Sequence, residues 1–220
     1  VSRLYGAPQR ALQDRFDTRR IADKISELAI YPHMNEQDMA FIQTRDMFWL
    51  ATVDKDGFPT VSYKGGDPGF VRALDNKTIV FPLYDGNGMF YSAGNIAGSR
   101  QVGLLCIDFE RPNRLRVQGE ATLVDNDPMM AEYKEAQLLV RVSVTEVWPN
   151  CPRYVHRMEK KAASRYVPRA HCETPLAGWK RIDMLQGDLP RPDQGRAPKE
   201  GGLISIEDWF GKVAAGDPEA

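Results

Sequence analysis

The sequence predicts a mainly β fold, in which six largely antiparallel strands form a closed or nearly closed barrel with helices inserted between them. Three observations point there. Six runs, 48–53, 59–64, 78–84, 102–109, 114–124 and 139–148, are rich in β-branched and aromatic residues and strand-like in pattern. Between the first two, Asp54-Lys-Asp-Gly57 has the composition of a hairpin turn, with Gly57 free to take a positive φ. Closure of the strands removes the exposed edges that an open sheet has to protect. An open α+β sandwich is the alternative arrangement of the same elements.

Taken in order, the chain begins with a helical region. From Arg10 to Ile30 the apolar residues Leu12, Phe16, Ile21, Ile25, Leu28 and Ala29 recur mostly at three- to five-residue steps among Asp and Arg, which predicts one amphipathic helix packed on something. Asn35-Glu-Gln-Asp38 reads as a cap followed by acidic residues, opening a second helix to about Thr44. Helices are also expected over Gly88–Ala97, between the third and fourth strands, and over Pro128–Ala136, between the fifth and sixth. No fixed-period repeat is present.

After Trp148 the character of the chain changes. A basic helix is expected over Tyr154–Tyr166, an exposed Pro- and Gly-rich connector over Gly187–Gly202, and a short terminal helix over Ile204–Val213. Trp209 and Phe210 on that last helix call for burial, on the chain's own barrel or on a second subunit. The organisation expected is a helical extension over 1–34, a barrel domain over 35–166 and a C-terminal extension over 167–220.

Composition narrows the function classes. A chain of 220 residues, 42% hydrophobic and 27% charged, is an ordinary globular composition, and no apolar run approaches the ~20 residues that span a bilayer. The net charge is −1 with basic residues dispersed, so no field is set up to hold nucleic acid. A small-molecule partner is expected instead. Three cysteines make no even disulfide framework and the N-terminus lacks a basic-then-apolar leader, which predicts a cytoplasmic setting.

Two glycine-rich turns are candidates for ligand binding. Asp85-Gly-Asn-Gly88 joins a strand to a helix, where glycines permit close backbone approach and free N–H groups attract an anion. Tyr91 and Ser92 lie near that helix start, and Lys64 on the preceding hairpin can supply charge. Spacing alone leaves open that Asp85–Gly88 is only a turn and cap. Lys64-Gly-Gly-Asp-Pro-Gly69 is likewise either a surface for a flat ring or a strand connection. Neither stretch fits the dinucleotide pattern G-x-G-x-x-G. Cys151, His156, His171 and Cys172 lack the two-residue knuckle of most zinc sites, so no metal is expected, and no G-x-S-x-G nucleophile is present.

The order of motifs adds to this reading. F-W-L-A-T-V-D-K-D-G-F-P-T-V-S from Phe48, K-G-G-D-P-G-F-V-R-A-L-D from Lys64, T-I-V-F-P-L-Y-D-G-N-G-M-F-Y-S-A-G-N-I from Thr78 and R-L-R-V-Q-G-E-A from Arg114 resemble the pyridoxamine 5′-phosphate oxidase-related family, over roughly 35–157. The resemblance implies a six-stranded split barrel, a homodimer, and FMN at the dimer interface. It assigns Ser62 and Lys64 to the FMN phosphate or ribityl chain, and the backbone of Phe81 and Pro82 to the flavin ring. It places Asn87, Gly88, Tyr91, Ser92 and Asn95 around the phosphate, and Arg153 on a segment approaching from the partner subunit. The function implied is an FMN-dependent oxidoreductase acting on a small organic substrate, the alternatives being a non-catalytic flavin-binding or redox-sensing protein, or a barrel turned to haem or a deazaflavin. Where the oxidase itself carries Ser-Arg-Lys at the phosphate helix this chain has Phe90-Tyr-Ser-Ala, which points away from pyridoxamine phosphate as substrate.

Overall fold

In the computed structural model, residues 4–220 are described, and the chain divides into two compact units, Val1–Lys160 and Lys161–Ala220. Among the described residues the first unit carries α1 (Ala7–Arg15), α2 (Arg19–Ala29), α3 (Glu36–Gln43) and α4 (Tyr91–Ser99) around a single sheet. The strands are β1 (Met47–Val53), β2 (Pro59–Gly65), β3 (Arg72–Asp75), β4 (Thr78–Leu83), β5 (Gln101–Asp108), β6 (Asn113–Val124) and β7 (Leu138–Asn150). All pairings are antiparallel in the order β2-β1-β5-β6-β7-β4-β3, so β2 and β3 are the two ends and the barrel is split rather than closed.

The strand count is therefore seven, not six. The added strand, β3, has only four residues and no clear alternation, and it is held by pairing Arg72 and Ala73 with Val80 and Ile79 across a tight turn. Tertiary pairing supplied what a four-residue pattern cannot announce.

The β1–β2 hairpin forms as its turn chemistry dictates. The Asp54 carboxylate accepts from the N–H groups of Asp56 and Phe58, each at 2.9 Å, and Gly57 takes φ 86°. Alternate residues of β1, Phe48, Leu50 and Thr52, are buried. Phe48 lies edge-on to Phe81 at 4.9 Å between ring centroids and stacks on Phe70 at 5.7 Å, fastening β1 to β4 through the barrel interior. Gly119 sits at the β6–β7 bulge, where an added Cβ would lie 2.4 Å from the Ser143 carbonyl oxygen.

Helix α3 is capped as its sequence indicates. The Asn35 side chain accepts from the Asp38 N–H at 2.8 Å, and the Asp38 carboxylate accepts from the Asn35 N–H at 3.0 Å. The N-terminal helix, in contrast, is broken into α1 and α2. Asp17 takes a left-handed φ of 52° and turns the chain back, and the Arg10–Asp23 pair at 2.6 Å holds the two helices together.

Two further helices are corrected. Pro128–Glu132 is a short 3₁₀ segment, ended where Tyr133 turns extended at φ −116° and ψ 92°. Tyr154–Tyr166 is not helical: Tyr154 has φ 69°, the Met158 N–H donates to the Phe109 carbonyl at 3.1 Å, and Lys160 pairs with Asp46 at 2.7 Å. A helix there would forfeit both long-range attachments.

The second unit has short 3₁₀ turns and α5 (Ile206–Ala215). Its Gly187–Gly202 stretch is packed rather than an exposed connector. Leu189, Asp193 and Ala197 are buried, and the Lys180 ammonium meets the Asp193 carboxylate at 2.6 Å. The Arg181 guanidinium donates to the Gly201 and Gly202 carbonyls at 2.6 and 2.9 Å. On α5, Phe210 remains exposed.

Candidate functional site

The site is built where β2 meets the start of α4. Alternation along β2 turns Thr60, Ser62 and Lys64 to one face and Val61 and Tyr63 to the other. The Ser92 hydroxyl, on the first turn of α4, lies 3.2 Å from the Ser62 hydroxyl, so the helix start stands over the β2 face that carries Lys64. Lys64 follows two residues on, about 7 Å along the strand.

Lys64 is the unusual group. It is half-buried, and among the described residues no acidic side chain pairs with its ammonium. Burial without a compensating charge lowers its pKa from the ordinary 10.5. A cation in that condition is stabilised by any anion that reaches it.

The start of α4 complements this. Phe90, the residue before the first turn, has φ 48° and no side chain caps the helix. The first-turn N–H groups of Tyr91, Ser92 and Ala93 therefore have no side-chain acceptor there, and they carry the positive end of the helix dipole. The approach to the helix is set by the Asn87 side chain, which accepts from the Met89 N–H at 3.1 Å, and by Gly88 at φ 76°. The Tyr91 hydroxyl donates to the Asp54 carboxylate at 3.2 Å, tying the helix start to the hairpin turn. Hydroxyls, amides and an ammonium on one side of a strand suit a small, highly charged anion.

Asn95, a turn further along, is buried and donates to the Thr52 hydroxyl at 3.1 Å, so its side chain anchors α4 on β1. Phe81 and Pro82 are buried on β4. The Phe81 ring belongs to the core, the residue as a whole is fully buried and pairs with Val140 of β7, and the β3 register ends at Val80, short of both. Arg153 is exposed, with its guanidinium 4.9 Å from the Tyr154 ring and its N–H on the Cys151 sulfur, and its contacts include none of the other candidate residues. Of the ten expected residues, Ser62 and Ser92 are in contact, Lys64 follows on the same face of β2, and Asn87, Gly88 and Tyr91 lie on the approach to α4 and in its first turn.

Three features were not legible. Asp54 and Thr52 enter through long-range contacts with α4 that no local motif marks. Tyr84, just past β4, is pushed up to about 12 by burial and by the nearby Tyr133 and Asp67. The only sequence signal for it is alternation with Val80 and Pro82. Among the described residues, no group of three or more His, Cys, Asp or Glu is arranged to hold a metal ion. Nor is any helix there long and apolar enough to cross a membrane.

Comparison with known proteins adds the family. The profile described as pyridoxamine 5′-phosphate oxidase matches residues 34–158, more than half of the chain. The chain belongs to the pyridoxamine 5′-phosphate oxidase family. The matched range holds all seven strands, α4 and every candidate site residue.

Among solved structures, HupZ of Group A Streptococcus is 18% identical with a TM-score of 0.44, covering 57% of this chain and 100% of its own. An FMN-binding protein from Syntrophomonas wolfei is 12% identical with a TM-score of 0.44, covering 64% of this chain and 97% of its own. HutZ, the haem storage protein from Vibrio cholerae, is 22% identical with a TM-score of 0.37, covering 48% of this chain and 85% of its own. No curated protein matches the chain.

Proposed function

We propose that this chain is an FMN-binding flavoprotein, a homodimer with the flavin at its interface, acting in the cytoplasm as an oxidoreductase on a small organic substrate. The observation that carries the reading is the Ser62–Ser92 contact, because it sets the uncapped start of α4 over the strand face bearing the uncompensated Lys64. That combination fits a phosphate monoester. Lys64 supplies charge, Ser62 and Ser92 supply hydroxyl donors, and the first-turn N–H groups supply the helix end. Asn87 and Gly88 shape the approach, while Asn95 holds the helix from beneath. The family resemblance gives the flavin ring to the β4 backbone at Phe81 and Pro82, which lies beyond the end of the β3 register.

Bound FMN supplies hydride exchange, so the chain's own contribution is to hold and orient the reactants and exclude water. No side-chain acid or base at the β2–α4 junction is required for that. The helix start carries Phe90-Tyr-Ser-Ala in place of Ser-Arg-Lys, so the substrate is a molecule other than pyridoxamine phosphate.

The test is a fluorescence titration of ligand-free protein with FMN and, in parallel, with riboflavin, which lacks the phosphate. Losing a charge-assisted contact costs about 1.5–3 kcal/mol, so Lys64→Ala is expected to weaken FMN roughly ten- to a hundredfold. Ser92→Ala is expected to weaken it less, and riboflavin binding should be nearly indifferent to both. Equal FMN affinity in wild type and Lys64→Ala would remove the phosphate assignment. Photoreduction followed by reoxidation with candidate acceptors separates turnover from storage.

A further inference from the structure

The α1–α2 hairpin is built inside out. The Arg10–Asp23 and Arg19–Asp14 pairs hold its helices together, its half-buried positions include Arg10, Gln13, Ala22 and Ser26, and neither helix contains a buried residue. Its large apolar side chains, Leu12, Phe16, Ile21, Ile25 and Leu28, are each at least half exposed. Their spacing, i and i+4 on α1 and i, i+4 and i+7 on α2, is that of a stripe made to be covered. Isolated hydrophobic residues on a surface need no explanation, but five on one short arm do.

A second uncovered apolar patch lies at the β1–β2 hairpin, formed by Val61 and Tyr63 on the outward face of β2 and by Phe58 in the turn before it, each at least 60% exposed. β2 is an end of the sheet and pairs only with β1. The arm, in contrast, is rooted on β7, where Tyr31 and Val147 exchange backbone hydrogen bonds of 3.0 and 2.9 Å beyond the end of the β4 pairing. In sheet order β7 is four strands from β2. Two unlike patches on one chain are both covered, twice over, when two copies meet about a two-fold axis.

We infer that the α1–α2 arm of one copy packs its apolar stripe on the Val61–Tyr63 face of β2 and the adjoining Phe58 turn of a second copy. The areas agree with that occupant. These eight side chains expose about 100 Å² each, roughly 800 Å² per copy, which is the contribution each partner makes to a standard stable interface. Because β2 carries Ser62 and Lys64 on its other face, the partner's arm clamps the strand that holds the anion contacts. The inference rests on the homodimer of the proposed function and adds to it a specific pair of surfaces.

The test measures dimer dissociation by light scattering at graded concentrations, and backbone hydrogen exchange over 7–29 and 58–65. Ile25→Glu/Leu28→Glu, and separately Val61→Glu, are expected to raise the dimer Kd at least about a hundredfold, as loss of central apolar contacts does. Exchange should rise in both segments in each variant. Since these side chains are exposed, far-UV circular dichroism is expected to be unchanged.

A wild-type dimer whose Kd and exchange are indifferent to the substitutions would overturn the arm contact while leaving the dimer intact. A wild-type monomer would overturn both. Dissociation by the arm variant but not by Val61→Glu, or an arm protected only on anionic phospholipid vesicles, would also overturn it.

Discussion

Lys64 shows how one side chain ties fold to function. Its amine is desolvated by the end of β2 and unmatched by any acidic partner among the described residues, so its pKa in the ligand-free protein lies below 10.5. A lysine in that state binds fewer protons folded than unfolded. Stability of the ligand-free protein is therefore expected to rise with pH toward 10.5, and this increment should vanish in Lys64→Met. FMN affinity has the opposite dependence, falling as pH rises through the lowered pKa, because the anion needs the ammonium form. Denaturation midpoints and FMN titrations between neutral pH and pH 10 check both signs. Lysine next to glycines was visible in the sequence as a candidate cation. Its lack of a partner was not, because that depends on which acidic side chains the tertiary fold brings near.

At the scale of elements, the helix start is shaped by backbone conformation as much as by side chains. Gly88 holds φ 76° with nothing within 4 Å of an added Cβ, so Gly88→Ala carries only a conformational cost. A loss of about 1 kcal/mol in urea denaturation is expected, with FMN affinity falling in step if this turn orients the helix. Elements with strong local patterns were legible: the β1–β2 hairpin from its Asp-Gly turn, α3 from its Asn35–Asp38 box, and the long alternating strands to within two or three residues. Elements decided at a distance were not. β3 exists because β4 lies beside it, and Tyr154–Tyr166 stays extended because Phe109 and Asp46 hold it. The break at Asp17 rests on one left-handed residue that an apolar period runs straight through.

For the whole molecule, the chain divides into two units at Lys160–Lys161. Lys161 opens the second unit and is exposed without regular secondary structure, next to the Lys160–Asp46 attachment of the first, so brief trypsin treatment is expected to cut first at this boundary. Gel electrophoresis with mass spectrometry identifies the first cleavage. The second unit depends on the buried Lys180–Asp193 pair. Asp193→Ala removes the carboxylate that faces the buried Lys180 ammonium and should cost about 3–5 kcal/mol, read as faster hydrogen exchange across 161–220 with the barrel unit unchanged.

The family and the chemistry of the β2–α4 junction make the proposed flavin the central claim. Its most direct measurement is the visible spectrum of the purified protein, taken before and after acid release of any bound ligand. Flavin absorption bands with FMN recovered in the supernatant are the predicted result. A Soret band, or a colourless protein that does not take up added FMN, would contradict it.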